Sequence, residues 1–479
     1  MLRSRLLWVG LLCFGMTPVL AADDSAKTKS PTKPNILFIA VDDLNHWVGH
    51  LGRNKQVKTP NLDRLAKMGT TFTHAYCAAP VCNPSRAALM SGLLPSTTGV
   101  YENNTDWRPR IERGLTLNGY LHDQGYWVGA SGKIYHGNYE RDADWDSYEH
   151  PKSAKQTLDA SAKNDGVGGI KFAPLTNDSG VPDDKTTDWA IAELGKKHDK
   201  PVFMGVGFHK PHMPWNVPRR YYDLYPLESI ELPPHLKDDL ADIPPAGIKM
   251  AKPDGDHRAM LESGRWKEAV QGYLAAISYL DEQVGKVLDA YEKSPERDNT
   301  IVVFWGDHGW HLGEKEHWRK FTLWEEGTRA PFIWIVPGVT KPGTRCERTV
   351  DFMSIYPTLC DLAGLPIPKH VEGVNIKPLL ADPTAAWDRP ALTTYHFQNH
   401  AVRTEQWRYI RYANGDEELY DEVNDPLEYK NLAKLPEHAA LKEKLAKHFP
   451  TVNKPEMPDK EPGSGKNKGK NKQKAAAEE

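Results

Sequence analysis

At 479 residues the chain is longer than one simple hydrophobic core supports, so a large domain with a smaller companion is expected. Its 61 Lys and Arg stand against 64 Asp and Glu, a formal net charge of −3. That balance excludes a broadly basic, nucleic-acid-binding surface and leaves any anionic ligand to local clusters of Lys, Arg and His.

The chain opens with Arg3 and Arg5, an apolar run from Leu6 to Met16, and the small-residue pattern Val19-Leu20-Ala21. Residues 1–21 read as a removable export signal, which implies a periplasmic or extracellular destination, or a lysosome-like compartment in a eukaryote. The apolar core is too short to cross a bilayer and no later run reaches the length required, so no stable membrane insertion is expected. Cys13 follows Leu12, the wrong size for a lipid-attachment box. A polar linker fills residues 22–33. Of the five cysteines, four then remain, too few for a disulfide scaffold. Pairing of Cys346 with Cys360 stays open.

Asn35 to Val41 is a continuous apolar run of the kind buried on both faces of a sheet. It ends in Asp42-Asp43. Adjacent carboxylates at the end of a buried strand are costly unless neutralised, which points to a divalent cation; an acidic turn facing water is the alternative. Thr59-Pro60 opens a short helix to Lys67, closed by Gly69, and Phe72 to Tyr76 is a strand leading into Cys77–Tyr101. Within that stretch Asn83 reads as an N-cap with Pro84 at the first helical position, so Cys82 sits just ahead of a helix N-terminus. Free N–H groups and the helix dipole favour an anion there. A buried, inert thiol is the plain alternative.

A helix over 115–124 and a strand over 126–130 deliver Lys133 and His136. Residues 142–185 are polar and poorly periodic, a long excursion of the kind that is often functional. A helix over 187–197 leads to a strand over 201–208, which ends in His209-Lys210-Pro211-His212. Pro214 to Lys252 is proline-rich surface chain. Apolar residues at helical spacing mark a helix over 265–293, with Tyr273 and Tyr279 as packing. A buried strand over 300–305 terminates in Asp307-His308, followed by a loop carrying Glu314, His317 and Lys320. A strand over 331–336 and a helix over 350–363 complete the series. Strand alternates with helix and polar clusters recur at strand carboxyl ends, the pattern of a mostly parallel α/β sheet with its site along one edge. Near Pro378 the pattern changes to short antiparallel strands over 391–396, 401–404 and 407–412, followed by Glu418-Leu419-Tyr420-Asp421, a turn at Asn424-Asp425-Pro426 and a helix over 437–448. The expected division is a catalytic domain over 34–377, a small α+β subdomain over 378–449, and a disordered tail over 450–479.

Cys82-x-Pro84-Ser85-Arg86, followed by a small-residue helix and Ser91-Gly92, resembles the signature of the type I sulfatases. Asp42-Asp43, Lys133 with His136, His209-Lys210-Pro211-His212, and Asp307-His308 with Lys320 resemble further elements of that family, in family order, so the likeness spans about Lys33 to Lys430. The forms Asp307-His308-Gly309-Trp310 and Lys133-Ile134-Tyr135-His136 are similar to the iduronate-2-sulfatase branch. One departure is Ser91-Gly92-Leu93, where the family often has Thr-Gly-Arg.

The resemblance implies an alkaline-phosphatase-like α/β fold and an exported hydrolase of sulfate esters on carbohydrate. Cys82 would be oxidised to formylglycine by a formylglycine-generating enzyme that reads Pro84 and Arg86. Asp42, Asp43, Asp307 and His308 would bind calcium together with an oxygen of converted Cys82, although nitrogen is an unusual ligand for so hard an ion. Lys133, His209 and Lys320 would meet the sulfate, with His209 the donor to the leaving alcohol, His136 the base and Arg86 the residue that orients the hydrate. Trp215, Glu102, Asn103, His400 and Arg403 are candidates for the substrate side. The rival readings are a phosphodiesterase or phosphonate hydrolase of the same superfamily and a sulfated-glycan-binding protein with Cys82 unconverted. Oligomeric state is not legible.

Overall fold

The run Asn35–Val41 forms strand β1, whose side chains alternate between two cores: Leu37, Ile39 and Val41 enter one, Ile36, Phe38 and Ala40 the other. Each fully buried aliphatic side chain contributes roughly 1.5–3 kcal/mol, which is why this strand can sit mid-sheet with no polar face. The structure is a computed structural model that describes residues 33–152, 156–159 and 166–457. The expected export signal, most of the expected linker and the tail from residue 458 lie outside those residues.

The sheet has eight strands, which are β1, β2 (Thr70–Tyr76), β3 (Trp127–Gly132), β4 (Ser147–Glu149), β5 (Val202–Phe208), β6 (Thr300–Gly306), β7 (Phe332–Ile335) and β8 (Thr344–Asp351). Their order is β8-β2-β7-β6-β1-β5-β3-β4. All pairings are parallel except those of β7, which runs antiparallel to both β2 and β6. The mostly parallel α/β sheet expected from the sequence is therefore present. Helices α1 (Pro60–Met68), α4 (Pro182–Leu194) and α7 (Trp266–Lys293) cover one face. Helices α2 (Cys82–Ser91), α3 (Leu117–Asp123) and α8 (Ile355–Leu362) cover the other. Helices α5 (Pro245–Ala251) and α6 (Asp256–Ser263) lie between β5 and α7 in the chain.

A four-stranded antiparallel sheet, β9 (Ala391–Thr394), β10 (His400–Arg403), β11 (Trp407–Arg411) and β12 (Glu417–Asp421), is followed by α9 (Ala439–Ala446). It joins the loop before Cys82 through the Thr394 N–H to Ala78 O (2.8 Å) and the Thr393 hydroxyl to Cys77 O (2.6 Å).

Several boundaries differ from the sequence reading. Cys82 is the first residue of α2, not the residue ahead of it, and Val81 occupies the cap. Asn83 cannot cap because its amide is engaged sideways, donating to Glu102 O and Thr105 O at 2.9 and 2.8 Å. Helix α4 begins at Pro182, five residues before 187; its Asp183-Asp184 opening reads as loop but suits a helix N-terminus. Strand β8 went unread and the helix expected over 350–363 is confined to Ile355–Leu362. Residues Pro450 to Met457 are placed against the body, not loose: Lys454 N donates to Ser96 O, Met457 N to Gly99 O, and the Tyr101 hydroxyl to Lys454 O. Cys77, Cys82, Cys346 and Cys360 are all buried free thiols. Among the described residues no helix is long and apolar enough to cross a membrane.

Candidate active site

Four neighbouring parallel strands end at one edge of the sheet, and each hands over a polar group. Asp42-Asp43 follow β1, Lys133 follows β3, His209 follows β5 and Asp307-His308 follow β6. Helix α2, entered from the same end of β2, adds Cys82 and Arg86. Two glycines let β3 and β5 approach closely at this edge. Gly132 has φ +81, and a Cβ on Gly207 would collide with the Lys133 backbone, whose N–H donates to Gly207 O (2.8 Å).

The side chains converge on the Cys82 thiol. Its sulfur lies 2.8 Å from Lys320 Nζ, 3.4 Å from His308 Nε2 and 3.8 Å from Asp43 Oδ1. Lys320 Nζ also donates to Asp43 Oδ1 (2.8 Å), and Lys133 Nζ pairs with Asp42. Arg86, fully buried, donates through Nε to Asp307 Oδ2 (2.9 Å), stands 3.5 Å from Asp42 Oδ1, and ties the Lys133 and Ile134 carbonyls. Asp43 takes φ +59, with its N–H donating to Asp307 Oδ1 (3.0 Å). The Tyr273 hydroxyl donates to Asp43 O (2.8 Å) and accepts from the Asn45 N–H (3.0 Å), so Tyr273 supports the carboxylate turn as well as packing in the core.

The donor set fits a cation. Asp42 Oδ1 and Asp43 Oδ2 are sealed from solvent and make no hydrogen bond, a costly state for carboxylate oxygens unless a positive ion meets them. His308 Nδ1 lies 2.9 Å from Gly309 O, which assigns the ring proton to Nδ1 and turns the Nε2 lone pair toward the cluster. Ligand atoms of Asp42, Asp43, Cys82 and His308 all lie within 4.8 Å of one another. Asp307 stands beside this group, its Oδ1 3.5 Å from His308 Nε2, with both oxygens already accepting hydrogen bonds from Asp43 and Arg86.

Charge is distributed to match. Burial pulls the Asp42 carboxyl upward, but Lys133, His212 and Arg86 together hold it well below the usual range. Asp43 is likewise held low, against burial, by Lys320 and His212. Burial and the neighbouring Asp42 push the Cys82 thiol up, so an unmodified thiol here stays protonated. Burial and Lys133 keep His136 neutral, and burial brings His212 down to about 4.

A cavity of about 250 Å³ opens on this cluster, lined by Asp42, Lys133, His136, His209 and His212. His136 Nδ1 is buried without a hydrogen bond. Of the two histidines in the His-Lys-Pro-His turn, the sequence reading took His209, which is 41% exposed and lies 3.4 Å from Asp183. His212 is nearer the carboxylates, with Nε2 3.8 Å from Asp43 Oδ2, and its spacing of three from His209 was the signal available for it. Asp183 holds the turn by accepting from the His209 and Lys210 N–H groups at 2.9 and 2.8 Å; nothing in its polar surroundings marked it.

The substrate-side candidates fare unevenly. Trp215 is buried against Tyr273 and Trp310, His400 is buried against Asn453, and Arg403 is buried among Glu325 and Glu422; none of these three borders the cavities described. Asn103 is buried as the acceptor for the Asn83 N–H (3.0 Å). Glu102 pairs with His396 (3.0 Å) at a second, larger cavity.

The family model described as Sulfatase matches residues 34–365, and that described as N-sulphoglucosamine sulphohydrolase, C-terminal, matches residues 313–454. A sulfatase of Formosa agariphila is 39% identical over 435 residues, covering 85% of this chain and 84% of its own. The iduronate 2-sulfatase of Mus musculus is 30% identical over 526 residues, covering 88% and 95% respectively. Among solved structures, a phosphonate monoester hydrolase of Agrobacterium radiobacter aligns with a TM-score of 0.75 at 22% identity, covering 86% of this chain and 94% of its own, a likeness of fold alone.

Proposed function

The chain belongs to the sulfatase family and is a sulfuric ester hydrolase, and from that premise we propose that it acts outside the cytoplasm on sulfated carbohydrate, using a formylglycine made from Cys82 and a bound calcium ion. The observation that carries the reading is the convergence on one sulfur of Lys320, His308 and Asp43, at 2.8, 3.4 and 3.8 Å. Support for a carbohydrate comes from the iduronate 2-sulfatase, whose named substrate is a sulfated uronate.

Hydrolysis of a sulfate ester needs an oxygen nucleophile at sulfur, cations on the non-bridging oxygens and a proton for the leaving alcohol. When present, the hydrated aldehyde supplies the nucleophilic oxygen and a second hydroxyl, and the cation, held by Asp42, Asp43, His308 and Asp307, offsets the anionic charge. The chain's own residues do the rest. Lys133 and Lys320 place two ammonium groups beside residue 82, where the sulfate oxygens bear charge. Arg86 neutralises Asp307 and fixes the Lys133 backbone. His136, kept neutral, is suited to take a proton from the residue 82 hydroxyl, and His209, at the cavity, is placed to give one to the departing alcohol oxygen. A protonated thiol at 82 has neither the nucleophilicity nor the second hydroxyl for this cycle, which is the chemical reason for its conversion.

The test is sulfate release from an aryl sulfate and from 2-sulfated uronate, compared with phenol release from an aryl phosphodiester. Preferred turnover of the phosphodiester would overturn the sulfatase assignment. The mass of the peptide bearing residue 82, recovered from the native source, separates aldehyde from thiol. Chelation followed by calcium addition should abolish and restore activity, and a mature N-terminus near Ala22 would mark export.

A further inference from the structure

The turn after β5 brings two imidazoles, His209 and His212, to the cavity, yet its own backbone has little with which to hold a shape. Pro211 and Pro214 carry no N–H, so carbonyl groups along this stretch must find donors elsewhere. The His212 N–H closes the turn on His209 O (2.8 Å).

Two buried charges supply the rest. Asp183, in the first turn of α4, accepts the His209 and Lys210 N–H groups at 2.9 and 2.8 Å. Lys210 then reaches forward along its own turn, and its Nζ donates to His212 O (3.1 Å) and Pro214 O (2.6 Å). Burial lowers this ammonium to about 8, against the pull of Asp183, Asp42 and Asp43, so it remains mostly charged at neutral pH. Burying a carboxylate and an ammonium is costly, and apolar side chains of similar volume would serve if packing were all that was needed. Neither side chain lines the cavity. What the pair fixes is how the imidazoles enter it: Asp183 Oδ1 lies 3.4 Å from His209 Nδ1, a nitrogen sealed from solvent without a hydrogen bond, which leaves Nε2 as the atom able to serve a substrate.

We infer that Lys210 and Asp183 are positioning residues for the proton transfer, a strut that holds His209 at the departing alcohol oxygen. The inference rests on the reading of His209 as donor. When an oxygen of residue 82 bonds to sulfur, the bond from sulfur to the alcohol oxygen breaks, its electron pair stays on that oxygen, and the Nε2 proton of His209 follows. A sugar alkoxide needs that proton to leave, whereas 4-nitrophenolate leaves without it, so the strut matters in proportion to the basicity of the leaving group.

The experiment measures kcat/KM of the full chain on 2-sulfated uronate, phenyl sulfate and 4-nitrophenyl sulfate. Lys210→Met keeps the length of the stem and removes its donors; Asp183→Asn keeps the volume and turns an amide N–H toward a backbone N–H. Each is expected to lose about tenfold on the uronate, less on phenyl sulfate, and about twofold or less on 4-nitrophenyl sulfate. An even loss on all three substrates marks a merely structural role and overturns the strut. If Lys210→Met fails to fold, Asp183→Asn carries the same comparison. His209→Ala separates the two claims. A graded loss there, beside an even loss in the strut variants, overturns the strut and keeps the donor. An even loss in His209→Ala overturns the donor reading, and a graded loss in Lys210→Met would then support the strut through His212, the other imidazole of the turn.

Discussion

His317 is held at both ring nitrogens by atoms that can only accept: Nδ1 lies 2.6 Å from Ala251 O and Nε2 2.6 Å from Lys320 O. Both contacts are hydrogen bonds only when the ring carries two protons. Burial, reinforced by Lys252 and opposed by the two carbonyls, lowers its pKa below the ordinary 6.5, so the doubly tied form belongs to the acid side. Because the ring grips the backbone of Lys320, kcat should show a limb, lying below the ordinary 6.5, that falls as pH rises, while His317→Gln, with one donor, should flatten that limb and lower the acid-side rate roughly tenfold or more. A pH profile of sulfate release checks both. The two histidines of the His-Lys-Pro-His turn give a second residue-scale prediction. His212 sits nearer the carboxylates than the half-exposed His209, so His212→Ala is expected to cost about 10²-fold or more in kcat, and His209→Ala less. Single-turnover rates for the two variants rank them. The carboxylates were legible because polar groups at the ends of buried strands are costly without a purpose, and Cys82 because it opens a helix within the Cys-x-Pro-Ser-Arg signature; His212 and Asp183 were not, since their role comes from a turn whose path no local pattern specifies.

The loop from Trp310 to Phe321 is an element built against its own preferences. Lys315, Glu316, Arg319 and Phe321 all adopt positive φ, at 54, 50, 77 and 82°, a conformation that favours glycine, so tertiary contacts must hold it. Glu314 is one such contact. Its Oε2 accepts the Leu312 N–H (2.6 Å), and burial, with Glu326 nearby, pushes its carboxyl up to about 8. The folded loop therefore binds a proton that the unfolded chain releases near 4.5, so stability is full below that pH and declines as pH rises toward about 8. Glu314→Gln keeps the acceptor and removes the titration. Its Tm should match the wild type near pH 4.5 and exceed it by a few degrees at about pH 8.5, as scanning calorimetry at the two pH values would record. Elements with a strong internal period were readable almost to the residue: α7 was expected over 265–293 and runs from Trp266 to Lys293. Strand β8 was not, because as an edge strand its Thr344, Arg345, Glu347 and Arg348 face outward and only Cys346, Thr349 and Val350 are buried. The strained loop could not be foreseen at all, since its conformation is imposed by residues far away in the chain.

Across the whole molecule, the small antiparallel sheet is tied to the catalytic loop by buried charge. Glu325, five residues after Lys320, pairs with Arg403 of β10 (3.4 Å) and with Arg408 of β11, and Arg408 Nε also meets Glu422 (3.0 Å) and Glu428 (2.6 Å). Burial raises Glu428 well above the usual carboxyl range, whereas Arg403 and Arg408 hold Glu325 well below it against burial, so the network carries its negative charge where the arginines are. Arg408 also donates to Leu323 O (3.0 Å), which fixes the chain between Lys320 and Glu325. Removing one partner of such a network strands the others in a low-dielectric interior. Arg408→Met, similar in length and uncharged, should cost about 3–5 kcal/mol in urea unfolding and lower kcat with it, because the stretch holding Lys320 loses its anchor. Arg258→Ala, which breaks an exposed pair with Asp254, should change stability by no more than about 0.5 kcal/mol and serves as the control. If Arg408→Met unfolded at a lower urea concentration but kept the wild-type kcat below its transition, the small sheet would be a stabilising appendage; a joint fall makes it a working part of the site, one that positions a lysine without touching substrate.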